Sequence, residues 1–199
     1  IVLGGYFPSY NHGQTWLSFD QQSIYMAGNV MNNTFNGFAT SKFFKKVSYY
    51  NNSNSNMNVL DSDEKIVQYI FNGNAIFFLT SKQKVYTSGK NKNQFLGINN
   101  TNGNYTNFYP QTPVFEDGDV LSTKKVKLLF QTAVSLGILF YDGTVYMTGK
   151  NQYYQFNIND TTIVYNKFTQ ISFSLNQGEK ITRISGMSGA WIALSNQGN

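Results

Sequence analysis

Cysteine is absent from the 199-residue sequence, and histidine occurs once, at His12. Without cysteine the chain has no disulfide bonds, no thiolate zinc site and no cysteine nucleophile. With one histidine it has no multi-histidine metal site, and a Ser-His-Asp arrangement could use only His12 as its base. We therefore expect no catalytic, metal-binding or cofactor-binding residues, and we interpret the chain as a protein that is not an enzyme.

Charged residues are also scarce, at 13% of the chain, with 15 Lys and Arg against 10 Asp and Glu. The single arginine, Arg183, supplies little for bidentate contacts to phosphate or guanine, so nucleic-acid binding is not expected. The longest apolar runs, 75–79 and 136–140, fall far short of the roughly 20 residues of a bilayer span, which argues against membrane insertion. The lack of cysteine favours an intracellular chain, cytoplasmic or cytoskeleton-associated, and leaves secretion open.

What the sequence does contain is an internal repeat. The segment 85–91 aligns with 145–151 at an offset of 60, with five of seven residues identical, and 24–29 is a weaker copy. A fixed period of this length is typical of solenoids and propellers. The period divides the single domain 1–199 into about three and a third units, at 1–60, 61–120, 121–178 and an incomplete 179–199.

Each unit has the pattern of short β-strands with almost no helix. The run 75–80 and the Val- and Tyr-rich segment 84–88 predict a hairpin, and Asp142-Gly143 predicts the matching turn one unit later. Residues 66–71 predict a strand before this hairpin, and 112–115 predict one after it, with a counterpart at 168–171. About four strands per unit favours a β-propeller blade. A β-sandwich is the competing fold, but a sandwich does not require a repeated sequence.

The repeated unit resembles the regulator of chromosome condensation repeat, which reads apolar-Tyr-x-x-Gly-x-Asn followed by Gly-Gln-Leu-Gly. The matching positions recur in every unit: Leu17, Ile24, Tyr25, Gly28; Leu79, Val85, Tyr86, Gly89, Asn91, Leu96, Gly97; Leu139, Asp142, Gly143, Val145, Tyr146, Gly149, Asn151, Gln155; Ile184, Ala193, Leu194, Gly198. The resemblance covers essentially the whole chain. It implies an all-β fold, a partial β-propeller of regulator-of-chromosome-condensation-like blades. Because the family closes a ring of about seven blades, it also implies a longer chain or partner polypeptides that cover the open edges.

The departures from this pattern bear on function. The family's blade histidine falls on Gly13, Ala75, Ser135 and Ala190, and its tryptophan on Ala27, Ser88 and Thr148. Loss of these polar and aromatic positions favours a divergent scaffold over the family's nucleotide-exchange member.

Two sets of residues stand out as candidates. Gly28, Gly89 and Gly149 are predicted to be structural turn residues that need a special backbone conformation. Aromatic residues in the polar loops after these glycines are candidates for protein contacts, because exposed aromatics are enriched at interfaces. They are Tyr105, Phe108, Tyr109, Tyr153 and Tyr154, and we expect contacts from the loops 29–37, 90–110 and 150–166.

The remaining motifs have structural interpretations. The acidic clusters Asp61-x-Asp63-Glu64 and Glu116-Asp117-x-Asp119 are interpreted as solvated loops that form a weak negative patch on one rim rather than as calcium ligands. Trp16 and Trp191 are expected to pack in the core.

Three functional hypotheses follow. The first is a non-catalytic scaffold that binds other proteins in a larger complex. The second, from the family resemblance, is a guanine-nucleotide exchange factor or regulator that has a small GTPase as its partner. The third is a carbohydrate- or nucleic-acid-binding module. The missing catalytic side chains, the low charge and the aromatic loops favour the first.

Overall fold

The computed structural model describes residues 13–17, 24–29, 40–46, 60–71, 75–103 and 106–198, and the side chains within 60–71, 75–103 and 111–198. The chain divides into two compact units, the first containing two antiparallel sheets and the second containing two more. Among the described residues, no helix is long and apolar enough to cross a membrane.

The first unit contains a three-stranded and a four-stranded antiparallel sheet, each with its strands in chain order. The strands of the first sheet are β1 (Gly13–Leu17), β2 (Ile24–Asn29) and β3 (Thr40–Lys46). The strands of the second are β4 (Ile66–Phe71), β5 (Ala75–Thr80), β6 (Val85–Lys90) and β7 (Thr106–Gln111).

The second unit contains a four-stranded and a two-stranded antiparallel sheet. Its described helical segments are a short 3-10 turn at Lys92–Gln94 and the single-turn helix α1 (Val120–Thr123). The strands of the larger sheet are β8 (Val126–Gln131), β9 (Ser135–Phe140), β10 (Val145–Lys150) and β11 (Val164–Ile171). Those of the smaller are β12 (Ile181–Gly186) and β13 (Trp191–Ser195).

The sequence repeat is reproduced as a structural repeat. Strands β4, β5 and β6 begin and end 60 residues before β8, β9 and β10. The backbone carbonyls of Lys65, Lys125 and Lys180 each accept a hydrogen bond from the residue that follows the second strand, which is Ser81, Tyr141 or Asn196. Equivalent positions therefore close the same hairpin in three sheets.

The central strands are buried on both faces. All six residues of β5 are buried, as are all six of β9, which explains why both strands appear in the sequence as continuous apolar runs. In the second unit, residues of β8, β9, β10 and β11 pack with residues of β12 in one core cluster, whose buried members include Phe130, Leu139, Val145, Ile181 and Ile184. The two sheets of this unit are therefore held together by apolar contact.

The fourth strand of the second sheet differs from the sequence prediction. It is β7, at Thr106–Gln111, and not residues 112–115. The segment after it bonds to β11 instead: the backbone N–H of Phe168 donates to the carbonyl of Val114, and the N–H of Glu116 donates to the carbonyl of Phe168. Pro110 within β7 is tolerated because β7 is an edge strand, where a missing N–H need not break a ladder. The counterpart predicted at 168–171 is the second half of β11.

The glycine positions are also corrected in detail. Gly28, Gly89 and Gly149 lie inside β2, β6 and β10 rather than in turns, each beside a register shift in the pairing with the next strand. The φ angles of Gly89 and Gly149 are 116° and 107°, in a region that favours glycine. These residues therefore form a bulge that recurs at the same place in each sheet.

Candidate protein-interaction site

The loop between β10 and β11 is held in one conformation by a buried asparagine, Asn151. Its side-chain Nδ2 donates to the carbonyls of Ile158 and Asp160 at 2.9 and 2.8 Å, and its Oδ1 accepts from the backbone N–H of Phe156 at 2.8 Å. Its own backbone N–H donates to the carbonyl of Ile163. One side chain thus ties together both halves of the loop, which fixes its shape.

The far end of the loop is closed by a second local network. The Asp160 carboxylate accepts hydrogen bonds from the hydroxyl and the backbone N–H of Thr162, at 2.6 and 2.8 Å. These bonds, the hydroxyl bond first, hold the pKa of Asp160 below its usual value. The loop therefore has the closed turn that Asp side chains commonly form.

Two tyrosines project from this loop. Tyr153 is 50% exposed and Tyr154 is 57% exposed. The backbone N–H of Tyr153 donates to Oε1 of the buried Gln155 at 2.9 Å, and Tyr154 has a φ of 61°, an uncommon angle for a side-chain-bearing residue. The backbone under both rings is therefore fixed while the rings face solvent.

The base of the loop packs against the core. Phe156 is buried, with its ring centroid 4.9 Å from that of Tyr165. Trp191 donates its indole N–H to the backbone carbonyl of Gln155 at 2.7 Å and makes an edge contact with Phe173. Trp191 thus packs in the core as expected. Because its ring is committed to these contacts, it is poorly suited to be a stacking platform for a sugar or a base.

The other predicted interface residues are not brought to this loop by the described structure. Tyr105, His12 and residues 30–37 lie outside the described residues. Phe108 and Tyr109 belong to strand β7 and not to the loop predicted over 90–110. Their side chains lie outside the described set, as does that of Trp16. The predicted interface is therefore supported by local geometry at Tyr153 and Tyr154.

The first acidic cluster is paired with lysines. Lys82 contacts the carboxylates of Asp61 and Asp63 at 2.9 and 2.7 Å, and Lys84 contacts Asp61 and the buried Glu64 at 3.3 and 3.1 Å. The hydrogen bond from Lys82, followed by that from Lys84, lowers the pKa of Asp61. Because the lysines offset most of its charge, this cluster does not form the negative patch that was expected.

The second acidic cluster takes part in a tyrosine network. The Tyr146 hydroxyl lies 2.9 Å from Oδ2 of Asp117 and 3.1 Å from Oε1 of Gln170. Burial, and then the bond to Asp117, raise the pKa of Tyr146 to about 12. Within the described part of the chain, no group of three or more His, Cys, Asp or Glu side chains could hold a metal ion.

Sequence reasoning identified the exposed tyrosines but not the residues that position them. Asn151 and Gln155 were matched only as family motif positions. The available signal was that Asn91 and Asn151 are polar residues at the same phase of the repeat. Both are buried in the structure, which indicates a shared structural role for this position.

No protein-family model matches the chain, and no curated protein matches it. Solved structures do match. Human WBSCR16 is 13% identical with a TM-score of 0.67, covering 97% of this chain and 47% of its own. Yeast RCC1 (Prp20) bound to Kap60 is 15% identical with a TM-score of 0.64, covering 96% of this chain and 43% of its own. Prp20p from Saccharomyces cerevisiae, in a second structure, is 13% identical with a TM-score of 0.64, covering 94% and 44%.

This chain spans slightly less than half the length of the solved structures it matches. At identities this low the likeness concerns the fold, and it agrees with the repeat that the sequence and the sheets both display. The resemblance to the regulator of chromosome condensation repeat is thereby confirmed for the architecture. The chain has the all-β fold of an RCC1-like β-propeller.

Proposed function

We propose that this chain is a non-catalytic β-propeller module that binds another protein through the loop between β10 and β11. The observation that carries the proposal is the pair of half-exposed tyrosines, Tyr153 and Tyr154, on a loop whose backbone is fixed by the buried Asn151. Tyrosine is enriched among the residues that dominate binding energy at interfaces. A ring presented from a rigid backbone loses less conformational entropy on binding than one on a mobile loop.

The surroundings of the two rings support a protein partner rather than a small ligand. Tyr153 lies against Gly189, where an added Cβ would come within 3.3 Å of its ring. Ile158, on the same loop, is 36% exposed. Aromatic and aliphatic side chains on one raised loop suit a partner surface more than they suit a concave ligand pocket.

The structural neighbours give independent support for protein partners. One neighbour is yeast RCC1 bound to Kap60, and another was described with its binding properties to Gsp1p and histones. These statements concern those proteins, and the fold alone is shared with this chain. They favour a protein as the partner class, and they keep regulation of a small GTPase as the second candidate function.

A photo-crosslinking experiment tests the proposal. Benzoylphenylalanine is placed at position 154, and in a control protein at Leu175, which is also exposed but lies outside the loop. Irradiation in the native source should give a discrete adduct from position 154 that is lost when Tyr153→Ala is added. An absent adduct, or equal adducts from both positions, would contradict the proposal.

A nucleotide-release assay separates the second candidate. Purified small GTPases loaded with fluorescent GDP are mixed with substoichiometric amounts of the chain. The proposal predicts release at the spontaneous rate. Accelerated release with turnover would replace the scaffold function by exchange activity.

A further inference from the structure

A cationic groove lies away from the tyrosine loop, on the face of the β12–β13 sheet. It has a cavity volume of about 910 Å³, and Lys127, Tyr141, Arg183, Ile192 and Leu194 contribute to its lining. All of these residues belong to the second unit. The sole arginine of the chain is therefore placed beside lysine and exposed aliphatic side chains.

The positive charge in this groove is concentrated and unbalanced. The ammonium groups of Lys125 and Lys127 lie 5.3 and 5.8 Å from the centroid of the Tyr141 ring, which is itself 54% exposed. Neither lysine, nor Arg183, forms an ion pair with any residue that the structure describes. The nearby carboxylate of Asp142 is paired with Lys124. The groove therefore attracts negative charge.

Apolar side chains stand next to this charge. Ile192 is 73% exposed and Leu194 is 43% exposed. At the same register in the neighbouring sheet, Leu139 is buried in the core cluster. An exposed aliphatic pair at a position that is elsewhere buried is typical of a surface that binds a partner.

The groove is not simply a copy of the face that packs between sheets. Register places Arg183 where β8 has Leu128, and Ser185 where β8 has Phe130. Phe130 is buried in the core cluster, and Leu128 packs against it. Replacing these two apolar residues by a cation and a hydroxyl lowers the affinity for another apolar sheet and raises it for an acidic partner.

We propose that this groove binds an extended acidic segment of a partner protein in which carboxylates alternate with aliphatic side chains. The carboxylates pair with Arg183, Lys127 and Lys125, and the aliphatic side chains cover Ile192 and Leu194. Successive side chains of an extended peptide point to opposite sides, so the alternation can satisfy both walls of the groove. The site lies outside the proposed tyrosine interface and shares with it only the premise that the occupant is a protein.

Fluorescence anisotropy with a defined probe tests the charge requirement. The probe is a fluorescein-labelled twelve-residue peptide in which Glu alternates with Leu, and the comparison peptides carry Gln in place of Glu or Ser in place of Leu. We expect the Glu–Leu peptide to bind at least tenfold more tightly than either comparison peptide, with an affinity that falls as salt rises. Equal binding of the Gln peptide would overturn the proposal. Equal competition by a DNA duplex would overturn it in favour of general polyanion binding.

Variants then assign the binding to the groove. Arg183→Glu and Lys127→Glu should each weaken the Glu–Leu peptide about tenfold or more. Lys167→Glu, a charge-matched control on β11, should leave it within twofold. The double variant Tyr153→Ala/Tyr154→Ala should also retain full peptide binding, so a failure of the proposed tyrosine interface is separable from a failure of this site. Equal losses for Lys167 and Arg183 variants would contradict the assignment.

Cysteine labelling shows whether the groove is open. Because the chain has no cysteine, Ile192→Cys introduces a unique thiol within it. We expect this thiol to react rapidly with a maleimide in the folded protein and to be protected by the Glu–Leu peptide. A thiol that reacts only after denaturation would show that the protein itself covers the face, and would overturn the proposal.

Discussion

The indole N–H of Trp191 donates a hydrogen bond to the backbone carbonyl of Gln155, with 2.7 Å between nitrogen and oxygen. The donor belongs to strand β13, and the acceptor belongs to the loop that carries the exposed tyrosines. Gln155 also accepts, through its side chain, the backbone N–H of Tyr153. The bond therefore joins the smaller sheet of the second unit to the backbone under the candidate interface.

Replacing Trp191 tests the strength of this link. Trp191→Phe keeps an aromatic ring beside Phe173 but removes the donor to Gln155. We expect the free energy of unfolding to fall by about 0.5–1.5 kcal/mol, the usual contribution of one hydrogen bond. Urea denaturation measures the change, with Ile192→Val as an exposed control expected to stay within about 0.5 kcal/mol of wild type. An unchanged midpoint for Trp191→Phe would show that the bond does not stabilise the unit.

Alanine at Gly149 should be costly for two reasons. Its φ of 107° disfavours a side chain, and a Cβ there would lie 2.5 Å from the carbonyl oxygen of Val134. Gly118→Ala is the matched control, because Gly118 has a φ of 87° but nothing within 4 Å of the added carbon. We expect Gly149→Ala to lower the unfolding free energy by about 2 kcal/mol or more beyond the control. Equal losses measured in urea would argue against the close approach at the bulge.

The tyrosine network predicts a loss of stability at high pH. The pKa of Tyr146 is raised from 10.0 to about 12 by burial and by Asp117. The folded state therefore favours the neutral phenol, and this stabilisation is complete below pH 10 and lost as pH rises through 12. Tyr146→Phe cannot titrate, so its unfolding free energy should fall less steeply between pH 10 and 12. The 295 nm difference spectrum between the two proteins should show one tyrosine titrating late, and a midpoint near 10 would contradict the predicted shift.

Ion pairs at the same phase of two sheets have opposite polarity. Glu64 pairs with Lys84 before and after one hairpin, whereas Lys124 pairs with Asp142 around the equivalent hairpin 60 residues later. The repeat should therefore tolerate an exchange of charges. We expect Lys124→Glu alone to lower the unfolding free energy, and Lys124→Glu with Asp142→Lys to recover part of the loss.

A double-mutant cycle by urea denaturation measures this coupling. The expected coupling energy is about 0.2–1 kcal/mol, as for partly exposed pairs, and it should decrease in high salt. A coupling energy of zero at low salt would show that the pair does not stabilise the hairpin.

The sequence predicted the architecture well because the repeat is local and regular. The hairpin turn at Asp142-Gly143 forms as expected: Gly143 has a φ of 91°, and Asp142 accepts the backbone N–H of Thr144. The equivalent turn in the preceding sheet places Gln83 at a φ of 63°. Turn chemistry and apolar runs are visible in a linear sequence, so these elements could be located.

Features that depend on distant contacts were not predicted. Residues 112–115 have strand-like composition, but their backbone partners lie in β11, about 50 residues later in the chain. The pairing of the first acidic cluster with Lys82 and Lys84 also depends on how the hairpin returns to the start of β4. The groove between Lys127 and Arg183 depends on packing of two sheets. No periodicity in the sequence encodes these approaches directly.

The most direct test of the account is the affinity of the protein that crosslinks at position 154. Isothermal titration calorimetry compares the wild-type chain, Tyr153→Ala/Tyr154→Ala and the exposed control Leu175→Ala. If the rigid tyrosine loop is the binding site, the double variant should weaken the dissociation constant about thirtyfold or more, equivalent to about 2 kcal/mol at interface hot spots, while Leu175→Ala binds like wild type. A double variant that binds within twofold of wild type would contradict the proposed function.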